Sequence, residues 1–107
     1  MTSSVPFSAS NETKISINTD LREPPMYQLI FLNDTSTTYE FVVDTLVKHL
    51  NYKEATAQKI TEEIHEVGSA CVAVLPYELA EQKGIEITVS ARSHGYPLNI
   101  KIEPEAD

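Results

Sequence analysis

The sequence predicts a single small α+β domain: a short sheet covered on one side by helices, ordered strand, helix, helix, strand, helix, strand. Two observations carry that reading. The apolar period switches between two and about 3.6 along the chain, and glycines and prolines fall at the switches. A third observation is length, because the first 23 of the 107 residues lack any sustained period, which leaves one compact unit from 24 to 107.

Residues 1–23 are rich in Ser, Thr and Asn with scattered apolar residues, and they read as a disordered tail. Glu12, Asp20 and Glu23 against a lone Arg22 speak against a targeting peptide. Pro24 and Pro25 mark the domain boundary. "MYQLIFL" from Met26 has the length and the aromatic and branched content of a strand. The loop "NDTSTT" follows, and Thr37 with Glu40 three residues later forms a capping-box pattern that starts a helix. Val43, Leu46, Val47 and Leu50 give that helix its buried stripe and carry it to about Leu50.

A second helix, from about Glu54 to Val67, places Ala57, Ile60, Ile64 and Val67 on one side and stops at Gly68. "SACVAVL", bounded by Gly68 and Pro76, has the profile of a central strand, and Pro76 suits the first position of a third helix. The next stretch is contested. "GIEITVS" alternates Ile85, Ile87 and Val89 with polar residues and reads as strand, whereas "PYELAEQK" before it and "ARSHG" after it read as helix. Leu98, Ile100 and Ile102 then alternate with Asn99, Lys101 and Glu103 as a half-buried last strand.

Composition removes several function classes. With 8 basic and 16 acidic residues the formal charge is -8, which repels nucleic acid and anionic membranes and favours a basic partner. Every apolar run is far shorter than the roughly 20 residues of a membrane-spanning helix. Cys71 is the only cysteine, so no internal disulfide and no multi-cysteine metal site is possible; its apolar neighbours predict a buried, unreactive thiol. Glu62 and His65 stand at i, i+3, but a di-metal carboxylate bundle needs that unit twice and this chain has it once. Gly68, Gly84 and Gly95 are too widely separated for a phosphate loop, so neither metal nor cofactor is expected. No nucleophile has a matching base, and no enzyme is expected. What survives is Asn33 and Asp34 at a strand end, with His65 one residue off the buried stripe at the margin of the surface. Local physics alone favours an Asx-type turn and a surface histidine.

Four separated motifs in order, "PPMYQLIFLNDTSTTYEFVVDTLVKHL", "IHEVGSACVAV", "ELAEQK" and "YPLNIKIE", resemble the ClpS family of bacterial N-degron adaptors over nearly all of residues 24–103. The resemblance implies a three-stranded antiparallel sheet with three helices, a fold shared with the C-terminal domain of a ribosomal stalk protein, and it turns "GIEITVS" to helix. It implies a cytoplasmic, monomeric, non-catalytic adaptor. Such an adaptor binds proteins beginning with a bulky apolar residue (Phe, Leu, Trp, Tyr) and hands them to a AAA+ unfoldase of the ClpA or ClpC type for degradation by ClpP.

By the same resemblance Asn33, Asp34 and His65 hold the α-amino group, and Thr37, Tyr39, Val42, Thr61, Ile64 and Leu98 form the side-chain pocket. Glu78 and Lys83, with Tyr77, contact the unfoldase N-domain. Thr35 stands where the family has a second acid, and Tyr39 and Thr61 stand where methionine is common. Those departures motivate an alternative: a regulatory module that docks on the unfoldase with altered or lost degron recognition.

Overall fold

The computed structural model describes residues 24–105; the tail expected at residues 1–23 lies outside the described residues. In chain order the elements are β1 (Met26–Leu32), α1 (Tyr39–Leu50), α2 (Glu54–Val67), β2 (Ser69–Pro76), α3 (Tyr77–Ser93) and β3 (Asn99–Pro104). This is the predicted α+β order. The strands form one antiparallel sheet in the order β2-β1-β3.

β1 is therefore the central strand and β2 an edge, which corrects the expectation of a central "SACVAVL". A register shift leaves Val72 as the extra residue of a bulge, and Cys71 and Val74 of the run are exposed, so its apolar content does not mark a strand paired on both edges. The Tyr52 hydroxyl donates to the Val72 carbonyl there. Cys71 pairs across from Ile30 on the face away from the helices and is exposed, the opposite of the expected buried thiol. Strand alternation decides its side, and its buried neighbours Ala70 and Val72 point the other way.

On the covered face Leu29, Phe31, Leu46 and Ile87 are fully excluded from solvent. Each such side chain contributes about 1.5–3 kcal/mol relative to exposure. α2 buries Ala57, Thr61 and Ile64 at i, i+4 and i+7, but Val67 is 73% exposed. Ile60 is partly buried against the core as expected, with Thr61 buried beside it, and the expected stripe overran by one turn at Val67.

α3 is one continuous helix through the contested segment. Its buried residues Ala80, Gly84, Ile87 and Ala91 keep helical spacing, and three of these four are small. A Cβ at Gly84 would lie 3.6 Å from side-chain carbons of both Leu29 and Ile102, so the helix sits close on the sheet. Ile85 and Val89, which gave the strand-like alternation, are left exposed. Tertiary packing of the 80, 84, 87, 91 stripe outweighs local β propensity. Pro76 ends β2 and caps α3, one position before its predicted place as the first helical residue. Among the described residues no helix is long and apolar enough to cross a membrane.

Candidate functional site

The site is built where β1 ends. The Asn33 amide donates to the Gly68 carbonyl at 2.9 Å, and Gly68, at φ +107, donates back to Ile64 as it terminates α2. The strand end is thus tied to the helix turn that carries His65. Asp34 then organises the loop. One carboxylate oxygen accepts from the Ser36 and Thr37 amides, each at 2.7 Å, and the other accepts from the Thr37 hydroxyl at 2.7 Å. This is the Asx-type turn that local reasoning favours.

With Thr37 engaged by Asp34, the cap of α1 moves one residue along. Thr38 is the N-cap and accepts from the Phe41 amide at 3.2 Å, in place of the expected Thr37–Glu40 box. Two adjacent threonines made both registers available, and Asp34 three residues before Thr37 is the signal that separates them.

A single open cavity of about 450 Å³ lies between this loop and the start of α1 on one side and α2 on the other. Asn33, Asp34 and His65 all line it, with Thr37, Tyr39, Val42, Thr61 and Ile64. Thr35 and Thr38 line it as well, and neither was placed in the site from sequence. Leu98 is not among the lining residues; it is 2% exposed and belongs to the core cluster with Val42 and Ile64. Arg92 donates to the carbonyls of Tyr96 at 2.9 Å and Leu98 at 3.0 Å, which pins the turn carrying Leu98.

Val42 and Ile64 are buried apolar residues, and Thr61, 4% exposed, joins them as a nearly apolar wall. Its hydroxyl donates to the Ala57 carbonyl one turn back at 2.7 Å, so its donor is spent inside the helix. Tyr39 stands at the mouth, 41% exposed, and its hydroxyl donates to Glu62 Oε2 at 3.4 Å.

The electrostatics favour a cation at the loop end. Partial burial pushes the Asp34 carboxyl up, but the hydrogen bonds from Thr37 and Ser36 and the nearby Arg92 guanidinium outweigh it, and the group sits below the ordinary carboxylate value. Asp34 therefore carries its charge at neutral pH. A carboxylate offers about four acceptor positions, so the three occupied ones leave room for a further donor. At the mouth, partial burial together with the Glu62 and Glu40 charges and the Glu62 hydrogen bond raises the Tyr39 phenol above its usual value. Among the described residues no group of three or more His, Cys, Asp or Glu side chains is placed to hold a metal ion.

The residues expected to meet an unfoldase do not form one cluster. Tyr77 and Glu78 line a groove of about 470 Å³ with Pro24, Pro25, Tyr27 and Pro76, at the end where the described chain begins. Lys83 lies five residues on from Glu78, about 140° around the helix at 3.6 residues per turn. It pairs instead with Glu86 at 3.8 Å, which also meets His49 of α1 at 3.8 Å.

Comparison with known proteins adds the lineage. Residues 22–101 match the family model described as ATP-dependent Clp protease adaptor protein ClpS. The ATP-dependent Clp protease adapter protein ClpS of Clostridium acetobutylicum is 39% identical over 80 residues, 75% of this chain and 79% of that one. The protein of the same name from Nautilia profundicola is 35% identical over 92 residues, 86% of this chain and 95% of that one. Among solved structures, Agrobacterium tumefaciens ClpS2 bound to L-phenylalaninamide aligns with a TM-score of 0.75 at 35% identity, covering 78% of this chain and all of that one.

Proposed function

The chain belongs to the ClpS family of ATP-dependent Clp protease adaptors, and from that premise we propose that it recognises a free α-amino group joined to a bulky apolar first residue. The proteins so marked begin with Phe, Leu, Trp or Tyr. The adaptor passes them in the cytoplasm, as a monomer, to a AAA+ Clp unfoldase of the ClpA or ClpC type for degradation by ClpP.

One observation carries the reading: a single cavity is lined both by the polar residues Asn33, Asp34 and His65 and by the buried residues Val42, Thr61 and Ile64. An α-ammonium has three N–H donors. The Asn33 side-chain oxygen, the free acceptor position of Asp34 and a neutral His65 nitrogen supply three acceptors, directly or through water. Each charge-assisted bond contributes about 1.5–3 kcal/mol, and enclosing a Phe or Leu side chain adds a similar amount. Together they suffice for micromolar binding, which needs about 8 kcal/mol. L-Phenylalaninamide, the ligand named for the Agrobacterium relative, carries the same free amine and apolar side chain, with an amide where the next peptide bond would be.

In this reading Asp34 has two tasks. It shapes the loop through Ser36 and Thr37, and it supplies the fixed negative charge toward the amine. Leu98 closes the pocket from beneath, through the core residues Val42 and Ile64. Tyr77, Glu78 and Lys83 meet the unfoldase on two neighbouring surfaces of α3.

The test is delivery. A Phe-initiated reporter protein should be degraded by the cognate unfoldase and ClpP only when the adaptor is added, and an Ala-initiated reporter should be spared. Unfoldase binding without reporter turnover, and with no affinity for the Phe-initiated terminus, would establish the docking-module alternative instead.

A further inference from the structure

Tyr39 lines two cavities. Besides the 450 Å³ cavity, it borders a groove of about 320 Å³ on the other side of the helix start, with Glu40, Val43, Asp44 and Glu54 among its walls. The ring is thus a partition between two spaces. It is 41% exposed, and its hydroxyl donates to Glu62 Oε2 at 3.4 Å. Glu62 comes from α2, beside the wall residue Thr61 and three positions before His65; it does not itself line the cavity, and the bond ties the lining residue Tyr39 of α1 to α2. A phenol tethered in this way has one preferred place; an untethered one, free to turn about two side-chain torsions, can swing toward the outer groove.

We propose that Glu62 is a positioning residue that holds Tyr39 as a wall of the first-residue pocket, and so sets how wide a side chain the adaptor accepts. The inference rests on the cavity being the first-residue pocket. With Tyr39 latched, the pocket ends at the ring. With the latch broken, the ring yields into the adjoining groove and the widest side chain, indole, gains over the narrower isobutyl group of leucine. Glu62 does this through its acceptor oxygen. Its charge is a separate matter, because a charge at the mouth would favour every free amine equally.

The experiment compares the affinities of Trp- and Leu-initiated peptides, by fluorescence anisotropy, for the wild type, Glu62→Ala, Glu62→Gln, Tyr39→Phe and the double variant Tyr39→Phe/Glu62→Ala. The Trp-to-Leu affinity ratio should rise about threefold or more in Glu62→Ala and in Tyr39→Phe, by the same factor in the double variant, and not at all in Glu62→Gln, whose amide oxygen still accepts. Glu62 is exposed, so its variants should keep the wild-type melting temperature and the ratio reads the site alone. An unchanged ratio in Glu62→Ala, additive effects in the double variant, or a Gln variant that behaves as Ala does would overturn the latch. A wild type that binds neither peptide would overturn the first-residue reading itself, and the latch with it.

Discussion

The backbone amide of Asn33 donates to the carbonyl of Gly68 at 2.9 Å, and this bond joins the end of the central strand to the end of the helix that carries His65. Two groups 32 residues apart in sequence, Asn33 and His65, are brought to one cavity by it. Gly68 holds a left-handed φ of +107, and a Cβ there would meet nothing within 4 Å. Gly68→Ala therefore costs only backbone strain, about 1 kcal/mol in urea denaturation. It should also weaken binding of a Phe-initiated peptide by displacing Asn33 from His65. Gly95→Ala, at φ +81 and equally open, serves as the control: similar loss of stability, with binding retained.

Asp34 should separate shape from charge. Asp34→Asn keeps an oxygen for the Ser36 and Thr37 amides but removes the charge, so the fold should survive while peptide affinity falls by about tenfold or more, the size of one charge-assisted bond. Asp34→Ala also unties the loop and should lower stability by about 1–2 kcal/mol. Because the folded-state carboxyl lies below its ordinary value of 3.8, its stabilising contribution is full above that value and is lost as pH falls through the lower folded one. Thermal melts of wild type and Asp34→Asn should thus differ by a constant amount from pH 8 to about 5 and converge only in stronger acid.

His65 should act as an acceptor for the amine. His65→Ala removes that acceptor and should weaken binding of a Phe-initiated peptide by about tenfold, measured by fluorescence anisotropy at neutral pH, with the melting temperature unchanged because the side chain is exposed. Unchanged affinity would remove His65 from contact with the amine.

Thr61 should behave as an apolar wall. Its hydroxyl is committed to Ala57, so Thr61→Val should change peptide affinity by less than about 1 kcal/mol in either direction. Thr61→Met adds volume to the cavity wall and should lower affinity for Trp-initiated peptides more than for Leu-initiated ones, measured by anisotropy.

Much of the scaffold was legible because its signals are local: the apolar period of α1 and α2, Gly68 as a helix stop, and the alternation of β3. Cys71 was misplaced because neighbouring residues were read as its environment, whereas on an edge strand alternation sends it to the other face. α3 was ambiguous on local signals because Ile85, Ile87 and Val89 have a strand period; the resemblance turned it to helix, and the close seat of Gly84 on the sheet, with Ala80 and Ala91 buried beside it, is the physical reason. The site residues were nameable only through resemblance. Locally, Asn33 and Asp34 are a turn, and that turn is indeed formed; the approach of His65 depends on the long-range bond between Asn33 and Gly68. The Tyr39–Glu62 pair, 23 residues apart, carries no local signature at all.

The central claim is recognition of a free amine together with a bulky apolar side chain, and N-acetylation tests it most directly. Acetylation leaves the side chain intact while removing the charge and most of the donors. Fluorescence anisotropy of one Phe-initiated peptide, free and N-acetylated, should give micromolar binding for the free form and a loss of about a hundredfold or more on acetylation, the equivalent of one to two charge-assisted bonds. Equal affinity of the two forms would contradict the account.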